Sequence, residues 1–346
     1  MTAVTTGPGL VLDVTETAAE TAAEKRGRLA TSADLYGRWE RQQWAVAEVD
    51  PSRDAPRWQQ LSRFARTQML GSLAELEVGE VTVTHTLGSL IDNPPTEDDR
   101  IYLCTQLADE ARHVKFFQAY LTDGCGISLA DAEGTELEGS ADYARVFAPE
   151  LIAVTGALRD HPGDMDSWYR ALVYYHLITE GVLASAALRT TRFLARRLNL
   201  EALDEGLTNV ARDESRHVSF GLRAAQEGVA GGFAAVVEDS HFEAIAPAAW
   251  VLIGPARHNP APAIHPALLS RAAQLRGAIE IARERLVKQL RLVGLAHLHD
   301  RAGRAWDEGI EVALDAYAER WGTPHPIRAA ELAGGGGHHS TEGEHD

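Results

Sequence analysis

Two near-copies of one five-residue word carry the residues best suited to chemistry in this chain. They read DEARH at residues 109–113 and DESRH at residues 213–217. On a helix, residues three apart leave the same face one turn apart, so Glu110 with His113, and Glu214 with His217, can each reach one cation. Oxygen and nitrogen ligands without thiolate suit Fe or Mn. The repeat therefore predicts two halves of a metal site.

Each Glu-x-x-His pair is preceded by a further glutamate on an earlier segment. A dimetal site in a four-helix bundle takes one Glu from each of two helices and Glu-x-x-His from each of the other two. Glu80 precedes Glu110 by 30 residues, and Glu180 precedes Glu214 by 34. Reflection of Glu110 through the Pro94-Pro95 turn favours Glu80 and leaves open Glu77, one helical turn away.

Glu180 stands out because the segment around it, VYYHLITEGVLASAAL, is otherwise almost free of charge. An unpaired buried carboxylate costs several kcal/mol, so a metal or another positive partner is expected there. The alternative is a pair of exposed helical salt bridges, Glu110 with Arg112 and Glu214 with Arg216. That alternative does not explain two copies in register with glutamates in apolar segments.

Further acidic residues and further Glu-x-x-His copies need separate interpretation. Asp109 and Asp213 directly precede the two predicted ligand glutamates and could accept hydrogen bonds from ligand imidazoles, or could lie on the helix surface. Two more Glu-x-x-His copies, Glu238 with His241 and Glu342 with His345, lack a supporting hairpin or lie in a Gly-rich tail. We interpret both of those copies as chance.

Helices must position these residues, and the chain predicts an all-α fold. Apolar residues recur three and four apart in segments rich in Ala, Leu, Glu and Arg. Turn residues place helices near 60–91, 97–122, 165–196 and 201–228, which would form two antiparallel hairpins. Residues 129–158 would cross between the hairpins. Residues 265–321 would add one or two helices outside a four-helix core.

Composition limits the remaining possibilities. A net charge of −17 makes nucleic acid an unlikely target, and no apolar run reaches the length of a membrane span. Two cysteines without CxxC spacing fit a reducing cytoplasm. We expect a flexible arm over 1–30, a helical metal-binding domain over 31–325 and a disordered Gly/His-rich tail over 326–346.

Residues 35–228 resemble the ribonucleotide reductase small-subunit superfamily, which is ferritin-like, and within it the ligand-binding oxidases. The resemblance is carried by RQQWAVAEVDPSRDAPRW (41–58), GEVTVT (79–84), QLADEARHVKFF (106–117), YHLITEG (175–181) and RDESRH (212–217). It implies metal ligands at six positions: Glu80, Glu110, His113, Glu180, Glu214 and His217. It also implies that Trp44 is linked through Asp213 to His113, as in the radical-transfer chain of the reductase.

Two departures separate the branches of this superfamily. Phe117 stands where a standard reductase has its radical tyrosine, and no tyrosine follows Tyr317, whereas a reductase tail uses one. Val83 and Tyr175 instead match the pair that ligand-binding oxidases join in an ether cross-link. Without the resemblance, both would be read as ordinary core residues.

The resemblance thus implies an O2-activating oxidase with an Fe/Fe or Mn/Fe centre. It would bind a small organic or fatty-acid-like ligand, form a homodimer, and abstract hydrogen from a C–H bond, with a Val83-Tyr175 cross-link as one outcome. The alternatives are a reductase small subunit that generates a radical, or a dimetal monooxygenase or N-oxygenase acting on a small molecule. The sequence leaves open the metal, the substrate and the electron donor.

Overall fold

The computed structural model describes residues 29–127 and 142–335, and within those ranges no residue lies in a β-strand. The helices are α1 Ser32–Arg41, α2 Ala55–Gln60, α3 Arg63–Asp92, α4 Glu97–Ala119, α5 Ala148–Asp160, α6 Met165–Leu198, α7 Glu201–Gly228, α8 Ala234–Ile253, α9 His265–Leu292, α10 His299–Trp321 and α11 Pro326–Gly335. The predicted all-α class is confirmed.

The four predicted core helices are α3, α4, α6 and α7, and they form two hairpins. Local capping sets the first hairpin. Ser62 accepts a hydrogen bond from the N–H of Ala65 at the start of α3, and Thr96 accepts one from the N–H of Asp99 at the start of α4. Arg100 donates from Nη1 to the carbonyl of Ile91, 2.5 Å away, and so closes the end of α3.

The start of α7 depends on a side chain distant in sequence. Asp54 accepts hydrogen bonds from the backbone N–H groups of Ala202 and Leu203, at 3.1 and 3.0 Å, and from the hydroxyl of Tyr120 at 2.9 Å. A carboxylate at a helix N-terminus pairs with free N–H donors and with the positive end of the helix dipole. The segment before α3 is thereby tied to α4 and α7.

Helix α6 is not a regular α-helix throughout. From Val173–Ala184 its hydrogen bonds follow the wider π pattern, in which each N–H reaches the carbonyl five residues back. Side chains follow the same spacing, because the hydroxyls of Thr179 and Ser185 donate to the carbonyls of Tyr174 and Glu180. π segments of this kind are frequent at functional sites.

Outside the four core helices lie α8, α9 and α10. The last two are the additional helices expected within 265–321. Helix α8 was not predicted: Gly232, at φ 103°, kinks the chain after α7, and α8 then packs against α10. The segment expected to cross between hairpins contains α5, which packs against α3. The segment that connects the two hairpins is therefore partly helical itself.

The expected boundary at residue 325 is wrong, because α11 continues the fold to Gly335. Ile327 and Ala330 are buried, the latter against Leu268 and Ala272 of α9. A short Ala-rich helix with two buried apolar side chains gains enough packing to dock. The expected arm over 1–28 and the last part of the tail, 336–346, lie outside the described residues.

Helix α6 is long and apolar enough to cross a membrane by length and composition, the one such helix within the described residues. Its apolar window is 83% buried inside the protein, which is what a central core helix requires. Its hydropathy is therefore accounted for by packing.

Candidate metal centre

The six predicted ligands converge on one buried region at the middle of the four core helices. They come from α3, α4, α6 and α7 as two overlapping groups: Glu80, Glu110, His113 and Glu214, and Glu110, Glu180 and His217. Within each group the candidate ligand atoms all lie within 4.8 Å of one another, and every member is buried. The two histidine rings have centroids 6.1 Å apart.

Glu110 and Glu214 each face both histidines. Nδ1 of His113 lies 3.6 Å from Oε2 of Glu110 and 3.3 Å from Oε1 of Glu214. Nδ1 of His217 lies 3.3 Å from Oε1 of Glu110 and 3.6 Å from Oε1 of Glu214. The other two carboxylates are terminal: Glu80 is 3.3 Å from His113 and Glu180 is 3.8 Å from His217.

Unsatisfied polar atoms show that this cluster suits a pair of cations. Among the described residues, the Oε2 atoms of Glu110, Glu180 and Glu214 are buried without a hydrogen-bond partner. Leaving such groups unpaired is costly, and four carboxylates at one place repel one another. Two divalent cations would supply the missing partners and balance the charge.

The pKa values of the metal-free cluster reflect the same conflict. Burial raises the pKa of Glu80 to about 8 and that of Glu180 well above its usual range. Burial also disfavours ionised Glu214, but the charge of His217 and a hydrogen bond with His113 outweigh it and lower the pKa to about 2. Burial disfavours the charged form of both histidines, but the surrounding carboxylates outweigh it and raise the pKa of both, so metal binding must displace protons.

The two aspartates of the repeated word cross over between helices. Asp213 on α7 lies 3.3 Å from Nε2 of His113 on α4, and Asp109 on α4 lies 3.3 Å from Nε2 of His217 on α7. An ionised carboxylate only accepts, so each Nε2 carries the proton and each Nδ1 is left to face a cation. The interpretation of both aspartates as surface residues is thus wrong: they are at most 1% exposed.

Each aspartate also accepts a hydrogen bond from a tryptophan. The indole Nε1 of Trp44 donates to Asp213 at 2.7 Å, so the link through Asp213 to His113 is present as expected. Trp39, which the sequence reasoning missed, donates to Asp109 at 3.0 Å. Each aspartate of the repeated word therefore accepts a hydrogen bond from one indole.

Arginine is the fourth residue of both copies of the repeated word, and its role was also missed. Arg216 is buried and donates to both aspartates, at 2.9 Å to Asp109 and 2.6 Å to Asp213. Arg112 also contacts both, at 2.9 and 3.4 Å. The arginines therefore pair with the aspartates and not with the glutamates, and the salt-bridge alternative does not describe this site. The arginine occupies the same position in both copies, and this repetition was the signal in the sequence that could have revealed its role.

A third missed feature supports Glu180. Gln106 donates from Nε2 to Glu180 at 2.8 Å and to Glu110 at 3.3 Å, while its Oε1 lies 3.0 Å from Nε2 of His176. His176 is completely buried, and burial keeps its pKa well below the usual range. A neutral imidazole therefore fixes the orientation of the glutamine.

The predicted cross-link pair lies beside the cluster. The hydroxyl of Tyr175 is 3.3 Å from Oε1 of Glu110 and 3.4 Å from the carbonyl oxygen of Val83. Both residues are buried. Phe117 is also buried, with its ring centroid 5.4 Å from that of Phe116, and it offers no hydroxyl.

The competing residues fall outside the cluster. Glu80, not Glu77, is the α3 carboxylate among the grouped ligands. Glu238 pairs with Arg301 at 2.7 Å and not with His241, although α8 does have a packing partner. Glu342 and His345 lie outside the described residues.

Comparison with known proteins agrees with this fold. Residues 29–238 match the family described as ribonucleotide reductase, small chain. That match covers more than half of the chain, and the chain belongs to this family of dimetal carboxylate proteins.

Solved structures with the same fold include R2-like ligand-binding oxidases. One, from Sulfolobus acidocaldarius, is 22% identical with a TM-score of 0.60, over 75% of this chain and 90% of that one. A glycine-to-phenylalanine mutant of an R2-like ligand-binding oxidase with anaerobically reconstituted Mn/Fe cofactor is 21% identical with a TM-score of 0.58, over 76% and 92%. A valine-to-leucine mutant with aerobically reconstituted Mn/Fe cofactor is 20% identical with a TM-score of 0.57, over 79% and 93%.

Proposed function

We propose that this protein is an O2-activating dimetal oxidase with an Fe/Fe or Mn/Fe centre. The observation that carries the proposal is that Glu110 and Glu214 each face both histidines, while Glu80 and Glu180 each approach one. Two carboxylates shared between the histidines, and two that each approach one histidine, match the donor set of dimetal carboxylate proteins. Its oxygen-rich character favours Fe and Mn over Cu(I).

Two cations would each be held by one histidine, one terminal glutamate and the shared carboxylates. The group on one side is His113 and Glu80, and on the other His217 and Glu180. When bound, such a pair supplies redox-active metals with coordination positions open to O2.

The protein's own residues fix the geometry around that pair. Asp213 and Asp109 hold the Nε2 protons and so set the orientation of both imidazole rings. Arg216 balances the charge of the two aspartates. Gln106 holds Glu180 in place, and the buried rings of Phe116 and Phe117 exclude water from the adjacent core.

The position of Tyr175 supports oxidation of Val83 as one outcome. An ether bond between them removes one hydrogen from the valine C–H and one from the phenol, and O2 accepts the two electrons and two protons. A bound organic molecule is the other candidate for C–H or N–H oxidation. We further propose that the protein acts as a cytoplasmic homodimer.

A reductase small subunit is the second candidate, favoured by the link from Trp44 through Asp213 to His113. Phe117 counts against it, because a phenyl ring carries no oxidisable hydroxyl. Co-purification with a large catalytic subunit would favour the reductase function over the oxidase.

The experiment is anomalous diffraction at the Fe and Mn edges on protein grown with both metals, combined with O2 uptake by the reduced protein. We expect two metals per chain at the Glu110/Glu214 cluster and O2 uptake that Glu110→Ala abolishes. Metal bound elsewhere, or O2 uptake unchanged in that variant, would contradict the proposal. Glu238→Ala is the matched control, because Glu238 belongs to a Glu-x-x-His copy outside the metal cluster. This variant should leave both metal binding and O2 uptake unchanged.

A further inference from the structure

A cavity of about 190 Å³ extends from the metal cluster into the space between α3, α6 and α9. It exceeds the roughly 150 Å³ of an engineered apolar cavity that binds benzene, so a ring or a short chain fits. At one end it is lined by Glu80, Val83 and Glu110 of the cluster region. Its lining also includes Arg257 and Arg271, which belong to no part of the metal site.

The arginines lie some distance along α3 from the metal ligands. Arg257 donates to Glu75 at 2.7 Å, and a Cβ added to Gly71 would meet its Nη1 at 3.3 Å. At 1.5 Å of rise per residue, Glu80 lies about 8 to 14 Å further along the helix than these two contacts. A molecule bound by the arginines could therefore span the cavity with its other end at the cluster.

The wall between the two ends is largely apolar. Leu76 of α3, Leu183 and Ala187 of α6, and Leu275 of α9 line it. Gly79 also lines it, and a Cβ at this position would contact nothing within 4 Å. This stretch suits the hydrocarbon part of a ligand.

Charge in the lining is unevenly paired. Arg257 is engaged by Glu75, and Asp142 accepts hydrogen bonds from the indole of Trp250 and from the N–H of Ala256. Arg271 forms no salt bridge with a carboxylate among the described residues, and its hydrogen bond is to the neutral Gln274 at 3.2 Å. The charge of Glu75 also acts on Arg271, but the short contact of Glu75 is with Arg257, so two guanidiniums share one carboxylate.

The environment of Arg271 makes an anion favourable there. Burial and the like charge of Arg257 lower the pKa of Arg271 to about 10, although the charge of Glu75 acts in the opposite direction. A partly desolvated guanidinium gains more from a carboxylate than one in water does, and its planar donors match a carboxylate in two parallel hydrogen bonds.

We propose that Arg271 is the anion-recognition residue of a substrate site, and that the substrate is a small organic monocarboxylate whose apolar end points to the metal cluster. The inference rests on the proposed oxidase function and adds the substrate class. A single carboxylate matches the one positive charge that is left over when Arg257 and Arg271 share Glu75.

The test is to measure binding to the full-length metal-free protein by calorimetry and ligand-observed NMR. The ligands are the acids phenylacetate and benzoate and their neutral counterparts, phenylacetamide and benzamide. We expect the acids to bind at least tenfold more tightly than the amides. Arg271→Gln should remove this preference, and Arg271→Lys should restore part of it. Arg291→Gln, an exposed arginine on the same helix, is the matched control and should bind as the wild type does.

A second variant tests the orientation. Gly79→Leu places bulk in the open space between the two ends and should weaken phenylacetate binding at least tenfold while Arg271 stays in place. Circular dichroism and unfolding midpoints check that each variant folds.

Three results would overturn the proposal: equal binding of acid and amide, acid binding by Arg271→Gln at wild-type strength, or no acid binding up to the solubility limit. The proposal would also be overturned if the acids bound only after metal was added and bound equally well to Arg271→Gln. That result would mean that the metal, and not Arg271, binds the carboxylate. The binding measurements need no metal, so they are independent of the oxidase test. If the protein takes up two metals and consumes O2 but does not bind the acids, the oxidase function stands and only this subsite is refuted.

Discussion

The carboxylate of Asp213 lies 3.3 Å from Nε2 of His113 on the facing helix, and the indole of Trp44 donates to the same carboxylate oxygen at 2.7 Å. Asp109 holds His217 in the same way from the opposite direction. Each copy of the repeated word thus positions the histidine of the other copy. The two copies of the repeated word therefore depend on each other and are not two independent half-sites.

The crossing aspartates should control metal affinity. Asp213→Asn keeps the shape but weakens the hydrogen bond that orients His113, so we expect a 10- to 100-fold loss of affinity for one metal, as is typical for residues that orient ligands. Competition with a chromophoric chelator measures this. Asp109→Asn should produce a comparable loss through His217. Unchanged affinity in both variants would mean that the aspartates do not orient the rings.

Arg216 should be needed for stability before any metal binds. Arg216→Met removes the buried one of the two arginines that contact Asp109 and Asp213, and we expect the free energy of unfolding to fall by about 3–5 kcal/mol. Urea denaturation of the metal-free protein measures it. Arg53→Ala, which removes a surface ion pair with Glu205, should cost less than about 1 kcal/mol. Equal losses would contradict the special role of Arg216.

Tyr175 should be required for any internal cross-link. After metal loading and O2 exposure, we expect the intact mass to fall by two hydrogen atoms, and peptide mapping to join the peptides that contain Val83 and Tyr175. Tyr175→Phe has no phenol oxygen and should keep the full mass. Tyr169→Phe, a buried tyrosine off the cluster, serves as the control. Loss of the same mass from Tyr175→Phe would place the oxidation elsewhere.

His241 should make the fold sensitive to acid. It is 1% exposed, its ring nitrogens have no side-chain partner, and burial lowers its pKa from 6.5 to about 4. Because the unfolded chain binds the proton first, stability is full above pH 6.5 and falls towards pH 4 at up to about 1.4 kcal/mol per pH unit. His241→Leu should flatten this slope in urea unfolding curves of the metal-free protein. Parallel curves for variant and wild type would contradict the assignment.

Much of the fold was readable from local chemistry. The turn residues placed the four core helices to within a few residues, because Ser62, Thr96 and the Pro94-Pro95 pair act on neighbouring backbone groups. Helix α8 was missed, since the Gly-rich VAGG predicts the end of a helix, although the chain only kinks there and continues as α8. Helix α11 was missed because its docking depends on Leu268 and Ala272, some 60 residues away.

The donor set of the site could be predicted from the sequence, because the 3.6-residue period puts Glu and His of each copy on one face. How Tyr175 and Glu180 approach that donor set depends on the folded protein. Five residues apart on a regular helix, they would point about 140° apart at roughly 100° per residue. The π turns of Val173–Ala184 bring both to the same side. Such turns depend on packing around the helix, and the pairing of Asp109, Asp213 and Arg216 likewise exists only once α4 and α7 lie together.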